Sequence, residues 1–344
     1  MPHTRLPAPR NAWYPMATTV EVGRAPLARR CLETPIVLFR TSDGTAAALA
    51  DRSSPRPYPL SLGRVEGDTL VCGYSGFAYA ADGTCLRVPT QAVVPLDANV
   101  RAFPVHDDGV LVWVWLGQSA VAALRPPPRA PWLNAPDWVT FGSEWETKAG
   151  LPLLQDNFAD ITHVAIVDPF IAPPVLAMAP PPLEVGVTET SVTFSRTFPP
   201  APVPAWQAEL MGVAMDAAYA QREEGTFVSP GLWIDRWDVT VTGHGDADGI
   251  KTFRFTHALA PIDARSTRHV WRVSRNFAPG AAATATFQPI FTDYYRKMKD
   301  ILETMQDVID TDGPATTVNV TADAALIQVR KIMHRLVRDE AATH

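Results

Sequence analysis

Short apolar runs separated by turn signals fill the first third of the chain. Examples are Pro35–Phe39, Ala46–Ala50, Thr69–Cys72 and Val110–Leu116, with Asp43-Gly44 and Asp82-Gly83 between them. Runs of this length, bounded by glycine turns, predict β-strands, so residues 11–120 read as a small all-β domain. The stretch Arg125-Pro126-Pro127-Pro128-Arg129 then stops regular pairing, because consecutive prolines stiffen the backbone, and it reads as a linker. The pattern changes after it. Strands are expected at Ser191–Phe198, Leu232–Thr242, Lys251–Leu259 and Thr267–Val273, mixed with at least three helical segments. The expected fold class is α+β, with an all-β domain over residues 1–125 and a sheet-and-helix domain over 126–344.

Two helices are legible from their apolar spacing. Over residues 291–309, Phe291, Tyr294, Met298, Ile301, Leu302, Met305 and Val308 are expected to form the buried stripe, while Asp300 points about 200° away from Met298. Near the C-terminus, Thr321 reads as an N-cap, Asp323 suits the positive helix start, and Leu326, Val329, Met333, Leu336 and Val337 share one face. The other face, with Arg330, Lys331, Arg335, Arg338 and Asp339, is expected to be solvated.

Composition narrows the function classes. The 344 residues carry a formal net charge of −6, with 47% hydrophobic and 19% charged residues. That balance suits a folded chain of two domains and argues against a nucleic-acid or anionic-membrane partner. Three widely spaced cysteines, Cys31, Cys72 and Cys85, form no disulfide framework, which fits a reducing cytoplasm. Residues 1–10 lack an apolar signal core, and no run approaches the roughly 20 apolar residues of a membrane span.

Candidate chemistry sits in three places. The first comprises Asp51-Arg52-Ser53-Ser54-Pro55-Arg56, Pro59-Leu60-Ser61-Leu62-Gly63 and Cys72-Gly73-Tyr74-Ser75-Gly76. The second runs from Asp156-Asn157 through Asp160 and His163 to Asp168-Pro169; on a continuous helix, Asp156, Asp160 and His163 would share one face. The third is the helix carrying Met298 and Glu303. With Asn11-Ala12-Trp13-Tyr14-Pro15, the stretch Thr267–Phe277 and the terminal helix after Ala322-Asp323, they span residues 11–340. Together they resemble the vanillate O-demethylase and dicamba monooxygenase branch of the Rieske non-heme iron oxygenases.

That resemblance implies a Rieske-like β domain followed by a helix-grip (Bet v1-like) catalytic domain, in trimers that pass electrons from one subunit's cluster to the neighbour's iron. It also implies where ligands should stand. A Rieske cluster needs two thiolates and two imidazoles, yet Ser53, Pro55 and Ser75 occupy three of the four places and only Cys72 remains. None of the three cysteines lies in a C-x-H or C-x-x-H pair. At the mononuclear site His163 matches, the second histidine is replaced by Asp168, and the carboxylate of the third ligand maps onto Met298. A thioether is a poor replacement for the carboxylate of a 2-His-1-carboxylate site. No metal and no cofactor are therefore expected.

The surviving polar groups, Asn157, Asp160, His163 and Asp168, are the candidate catalytic residues. In the family Asp160 would bridge the two metal centres across a subunit boundary. Without metals, an Asp160–His163 pair would favour the imidazolium and could serve acid-base chemistry, or it is simply tied into an interfacial network. Zinc at His163 and Asp168 would lack the histidines it commonly takes. Cys72 reads either as a nucleophile or as an inert strand-end thiol, with no histidine near it in sequence. His257 and His269, with Trp206, Trp233, Trp237 and Trp271, line a pocket for a flat, apolar molecule or pack a core.

Two functions follow. One is a non-catalytic or auxiliary subunit partnering an active Rieske oxygenase paralogue in a homo- or heterotrimer. The other is a cofactor-independent lyase, hydrolase or isomerase that uses His163, Asp160 and Asp168 on a small apolar or aromatic molecule.

Overall fold

The computed structural model describes residues 8–54, 56–243, 249–313 and 318–342. They fall into two units, one of residues 8–128 with 260–263 and 340–342, the other of 129–259 with 264–339. Pro55, one of the expected cluster positions, and residues 1–7 lie outside the described residues.

The first unit is all-β, built from β1 (Trp13–Thr18), β2 (Leu27–Cys31), β3 (Thr34–Arg40), β4 (Ala46–Ala50), β5 (Arg64–Glu66), β6 (Thr69–Val71), β7 (Ala78–Tyr79), β8 (Cys85–Arg87), β9 (Ala102–Phe103), β10 (Val105–Asp107) and β11 (Leu111–Trp115). They form three antiparallel sheets in the orders β1-β11-β10, β2-β3-β4-β9 and β5-β6-β7-β8. Strands β1 and β11 are buried at every position, which is why they read as continuous apolar runs rather than as alternations. Val37, Phe39, Leu49, Leu60, Leu70 and Tyr79 close a core around Cys72. The expected turns are present, Gly44 and Gly83 taking φ of 86° and 83°, a region open to glycine at no steric cost.

A one-turn helix α1 (Ser119–Ala122) follows β11, and residues 126–130 carry no regular element. The second unit is a seven-stranded sheet of β12 (Val139–Thr147), β13 (Glu184–Val187), β14 (Ser191–Ala201), β15 (Tyr219–Val228), β16 (Leu232–Val241), β17 (Gly249–Pro261) and β18 (Thr267–Arg275), in the order β12-β18-β17-β16-β15-β14-β13. Its helices are α2 (Leu151–Ala159), α3 (Val164–Val167), α4 (Ala205–Met211), α5 (Ala281–Asp312) and α6 (Ala324–Ala342). Strand β15 alternates cleanly, burying Tyr219, Gln221, Glu223, Gly225 and Phe227, so its inward face carries two polar side chains. Trp206, Phe291 and Tyr295 from α4 and α5 pack onto Trp237, Phe253 and Trp271 of the sheet.

Three expectations change here. The buried stripe of α5 is Phe287, Phe291, Tyr295, Met298, Leu302 and Gln306, while Met305 and Val308 are about half exposed. The stripe stays at steps of three and four from Phe287, and reading it from Tyr294 shifts it off the helix's inner face. On α6, Ile332 joins the buried set and Leu336 and Val337 are only half-buried. Its start is capped by Asp323, whose carboxylate accepts from Val320 N at 2.8 Å. Arg330 and Arg335 are not simply solvated, since Arg330 pairs with Asp156 and Arg335 donates to the Glu189 carbonyl.

Candidate functional site

Around Cys72 the loops keep a tight arrangement that glycine permits. A Cβ on Gly63 would run into the Val71 carbonyl, and one on Gly73 would meet the Leu62 carbonyl at 2.6 Å. This crossing brings Ser53, Cys72 and Ser75 together, as expected of one site. Ser53 Oγ hydrogen-bonds Tyr79 Oη at 3.1 Å, and the Tyr79 hydroxyl also meets Ser54 N at 3.1 Å. Burial pushes the Cys72 thiol up, but the Ser53 and Ser75 hydroxyls and the backbone N–H groups of Ser75 and Tyr74 outweigh it, and the thiol ends below its ordinary value. The donor set is thus one thiol and two hydroxyls. A Rieske cluster takes two thiolates and two imidazoles, so these residues do not fit it.

The second site departs from the expected single helix. α2 stops at Ala159, Asp160 takes an extended conformation (φ −136°, ψ 108°), and a 3₁₀ turn, Ile161–His163, leads into α3. The break is capped by Asp160 itself, whose carboxylate accepts from Thr162 N at 2.9 Å and Thr162 Oγ1 at 2.8 Å. Asp156, Asp160 and His163 therefore do not share a face. Asp156 Oδ2 instead pairs with Arg330 at 2.5 Å.

His163 is held by the Asp160 backbone rather than by its carboxylate, with Nδ1 2.7 Å from the carbonyl oxygen. A carbonyl oxygen only accepts, so Nδ1 carries the proton and Nε2 presents a lone pair. Burial lowers the His163 pKa, outweighing the Asp160 carbonyl and carboxylate, which raise it. The expected imidazolium is thus replaced by a neutral ring. Asp168 follows α3 and accepts from Lys297 Nζ at 2.7 Å. Met298 is buried on α5. Among the described residues no three His, Cys, Asp or Glu converge to hold a metal, and one imidazole with a thioether does not fit a 2-His-1-carboxylate iron site.

Asn157 and His163 line a cavity of about 110 Å³ between the sheet and helices α4 and α5, whereas Asp160 and Asp168 do not. Trp206, Trp237 and His257 line it too. Trp233, Trp271 and His269 lie elsewhere: Trp271 packs against Tyr295 with ring centroids 4.6 Å apart and tilted by 35°, and His269 Nε2 meets His257 Nδ1 at 3.0 Å. Both histidines are fully buried and held neutral by desolvation, His269 with a pKa lowered to about 3. His257 also stacks on Phe158 at 3.9 Å. They are packing groups with one internal hydrogen bond.

The cavity wall contains acids that the sequence reading passed over. Glu223 and Asp235 line it. Arg196 Nε meets Glu223 at 2.5 Å with both side chains almost wholly buried, and Asp235 accepts from Trp233 Nε1 at 2.9 Å. Burial raises both carboxyls, Asp235 well above the ordinary value. They sit on the inward parity of β15 and β16, and that position was the available signal. Four lining side chains end in a buried polar atom without a partner: His163 Nε2, Trp206 Nε1, Gln207 Nε2 and Trp237 Nε1.

Residues 12–104 match the family model of the Rieske [2Fe-2S] domain, and residues 147–339 match that of the vanillate O-demethylase oxygenase C-terminal domain. A provisionally assigned toluene-4-sulfonate monooxygenase system iron-sulfur subunit, TsaM2, of Comamonas testosteroni is 31% identical over 96% of this chain and 97% of its own length. A vanillate O-demethylase oxygenase subunit of Pseudomonas sp. (strain HR199 / DSM 7063) is 27% identical, with 96% of each chain covered. Dicamba monooxygenase bound to 3,6-dichlorosalicylic acid superposes with a TM-score of 0.86 at 25% identity, over 97% of this chain and 98% of the other.

Proposed function

This chain belongs to the vanillate O-demethylase family of Rieske-type oxygenase subunits, and from that premise we propose that it is a metal-free, non-catalytic or auxiliary subunit of a hetero-oligomeric Rieske-type oxygenase. One observation carries the reading: the loops that bring Ser53, Cys72 and Ser75 together retain their close crossing while offering one thiol and two hydroxyls. A frame kept while its donors are lost is what assembly, rather than electron transfer, requires. Exposed apolar side chains support assembly on both units. Leu62 and Tyr74 flank Cys72 on the first, and Ile166 and Phe170 follow His163 on the second. Apolar groups left exposed in this way suit a head-to-tail ring in which each subunit offers two different surfaces. The partner is an active Rieske oxygenase paralogue, the ring a trimer, and the compartment the cytoplasm. Among the described residues no helix is long and apolar enough to cross a membrane. We propose a boundary between the two domains at residues 125–126.

The deciding experiment is iron and acid-labile sulfide analysis, with a visible spectrum, on the full chain produced with ample iron, followed by co-expression with a metal-bearing homologue. A colourless, iron-free chain that co-purifies with the homologue is expected. Stoichiometric iron with sulfide overturns the reading.

A second reading is favoured by the unpartnered His163 Nε2 on the cavity wall. In it the chain is a cofactor-independent lyase, hydrolase or isomerase. His163 is the base, fixed in its tautomer by the Asp160 carbonyl, and Asn157, which lines the same cavity, assists it, while Asp168, bound to Lys297, lies off the wall. This enzyme turns over alone, and His163→Ala then costs about a hundredfold or more, the usual contribution of a positioned acid-base group. In the subunit reading His163→Ala leaves the complex's activity nearly intact.

A further inference from the structure

We propose that the cavity between the sheet and helices α4 and α5 binds a neutral, single-ring aromatic molecule, which donates a hydroxyl or N–H to His163 Nε2 and accepts from the indole N–H groups of Trp206 and Trp237. The inference rests on the reading that His163 holds no iron. It goes further, by assigning what takes the place of the iron and by excluding the aryl acids.

Size sets the first limit. A cavity of about 110 Å³ is smaller than the roughly 150 Å³ engineered cavity that takes benzene. It admits no more than one ring, with any substituent reaching through the open side of the cavity, and two fused rings do not fit. The walls set the shape, because Phe253, Phe255 and Phe291 offer ring faces and edges around it.

The unpartnered atoms set the polarity. Buried polar groups are almost always hydrogen-bonded, so four orphans around one cavity point to what completes them. Trp206 Nε1 and Trp237 Nε1 can only donate, and Gln207 Nε2 is an amide donor. His163 Nε2 can only accept, because the Asp160 carbonyl fixes the proton on Nδ1. The complement is a ring with an oxygen acceptor on one side and a donor on the other. Trp206, Gln207 and Trp237 are each more than nine-tenths buried, so none of these donors is a surface group awaiting bulk water.

Charge sets the last limit. An aryl carboxylate or sulfonate needs a cation, and Arg236, the arginine among the lining residues, is already engaged by Asp238 at 2.8 Å and Glu224 at 3.4 Å. Arg196 does not line the cavity and is held by Glu223 at 2.5 Å. Glu223 and Asp235 add carboxyl groups to the same wall. An anion entering here would lose its water without gaining a counter-charge.

The test titrates the full-length protein, at mildly acidic pH, with 4′-hydroxyacetophenone, acetophenone and 4-hydroxybenzenesulfonate, followed by tryptophan fluorescence and calorimetry. Iron is measured in the same sample. We expect 4′-hydroxyacetophenone to bind about tenfold or more tightly than acetophenone, and about a hundredfold or more tightly than the sulfonate. His163→Leu should bring the first ratio to within about twofold, since no acceptor remains to reward the hydroxyl. Trp237→Phe should weaken both ketones together. If His163→Leu does not fold, the three-probe comparison on the unaltered chain still decides. Equal affinity for the two ketones, a preference for the sulfonate, or an iron-free protein that binds no probe because water alone fills the cavity overturns the inference. Stoichiometric iron in the sample overturns the metal-free reading, and this one with it.

Discussion

Around Cys72 tight loops hold small polar side chains against one another; around His163 a polar side chain is left facing a cavity. In the first region the crossing at Gly63 and Gly73, together with the Tyr79 hydroxyl, still holds Ser53 and Ser75 beside the sulfur. In the second, α2 breaks at Asp160, Asp168 is taken by Lys297, and His163 faces a cavity with its Nε2 unpaired. Tight packing around Cys72 leaves one buried hydroxyl, Ser75 Oγ, without an oxygen or nitrogen partner beside the sulfur, whereas the cavity edge leaves four lining side chains in want of partners.

The largest effect is expected from restoring donors to the first region. Ser53→Cys with Pro55→His and Ser75→His would supply, with Cys72, two thiolates and two imidazoles, and about two iron atoms with acid-labile sulfide should then be recovered per chain. Iron and sulfide analysis after reconstitution checks this. Failure of the triple variant to gain iron would show that the loops have lost their cradle as well as their ligands, which breaks the contrast drawn above.

In the second region the next largest effect lies in the Arg196–Glu223 pair. Arg196→Met leaves a buried carboxylate uncompensated and should cost about 3–5 kcal/mol, whereas Arg196→Met with Glu223→Leu should recover most of that loss. Urea unfolding of the two variants separates the pair's presence from its net worth. A single variant as stable as the unaltered chain would mean that the pair is not buried in solution.

The first region was readable from sequence because Ser53, Cys72 and Ser75 sit outside regular strands, in short loops at fixed spacing. Apolar runs such as Pro35–Phe39 and Val110–Leu116 likewise land on β3 and β11. The cavity was less readable. Strand β15, Tyr-Ala-Gln-Arg-Glu-Glu-Gly-Thr-Phe-Val, offers little apolar alternation, because two of its inward positions are Gln221 and Glu223. The helical spacing of Asp156, Asp160 and His163 could not reveal that Asp160 caps the following turn with its own carboxylate, as aspartate favours at helix starts. Nor does spacing alone tell that Trp237 faces a cavity while Trp271 packs against Tyr295.

Asp235 gives a pH signature to the second region. Its folded-state pKa stands well above the ordinary carboxylate value because of burial, which outweighs the Trp233 N–H that favours the anion. Below the unfolded-state pKa both states carry the proton and no penalty arises. As pH rises above it, the unfolded chain ionises while the folded chain retains its proton, and stability falls until the folded-state pKa is passed. Asp235→Asn keeps an oxygen acceptor for Trp233 and removes this loss. The variant should match the unaltered chain in acid and exceed it near neutrality, by about 1.4 kcal/mol for each pH unit above the unfolded-state pKa until the folded-state pKa is reached. Thermal unfolding across pH measures the difference. A gap that does not change with pH would mean that Asp235 is ionised in the folded protein.

The smallest effect separates residues on the cavity wall from residues beside it. The resemblance puts Asp168 where a second histidine is expected, but its carboxylate is bound to Lys297, whose side chain is half exposed, and it does not line the cavity. Partly exposed ion pairs contribute about 0–1 kcal/mol, so Asp168→Asn should shift stability by no more than that. Affinity for 4′-hydroxyacetophenone should not change. His163→Leu, only five positions earlier, should abolish the preference for the hydroxylated ring. A tenfold loss of affinity in Asp168→Asn, about 1.4 kcal/mol, would place Asp168 within reach of the ligand. Asp168 would then be a second contact to the ligand rather than only a partner for Lys297.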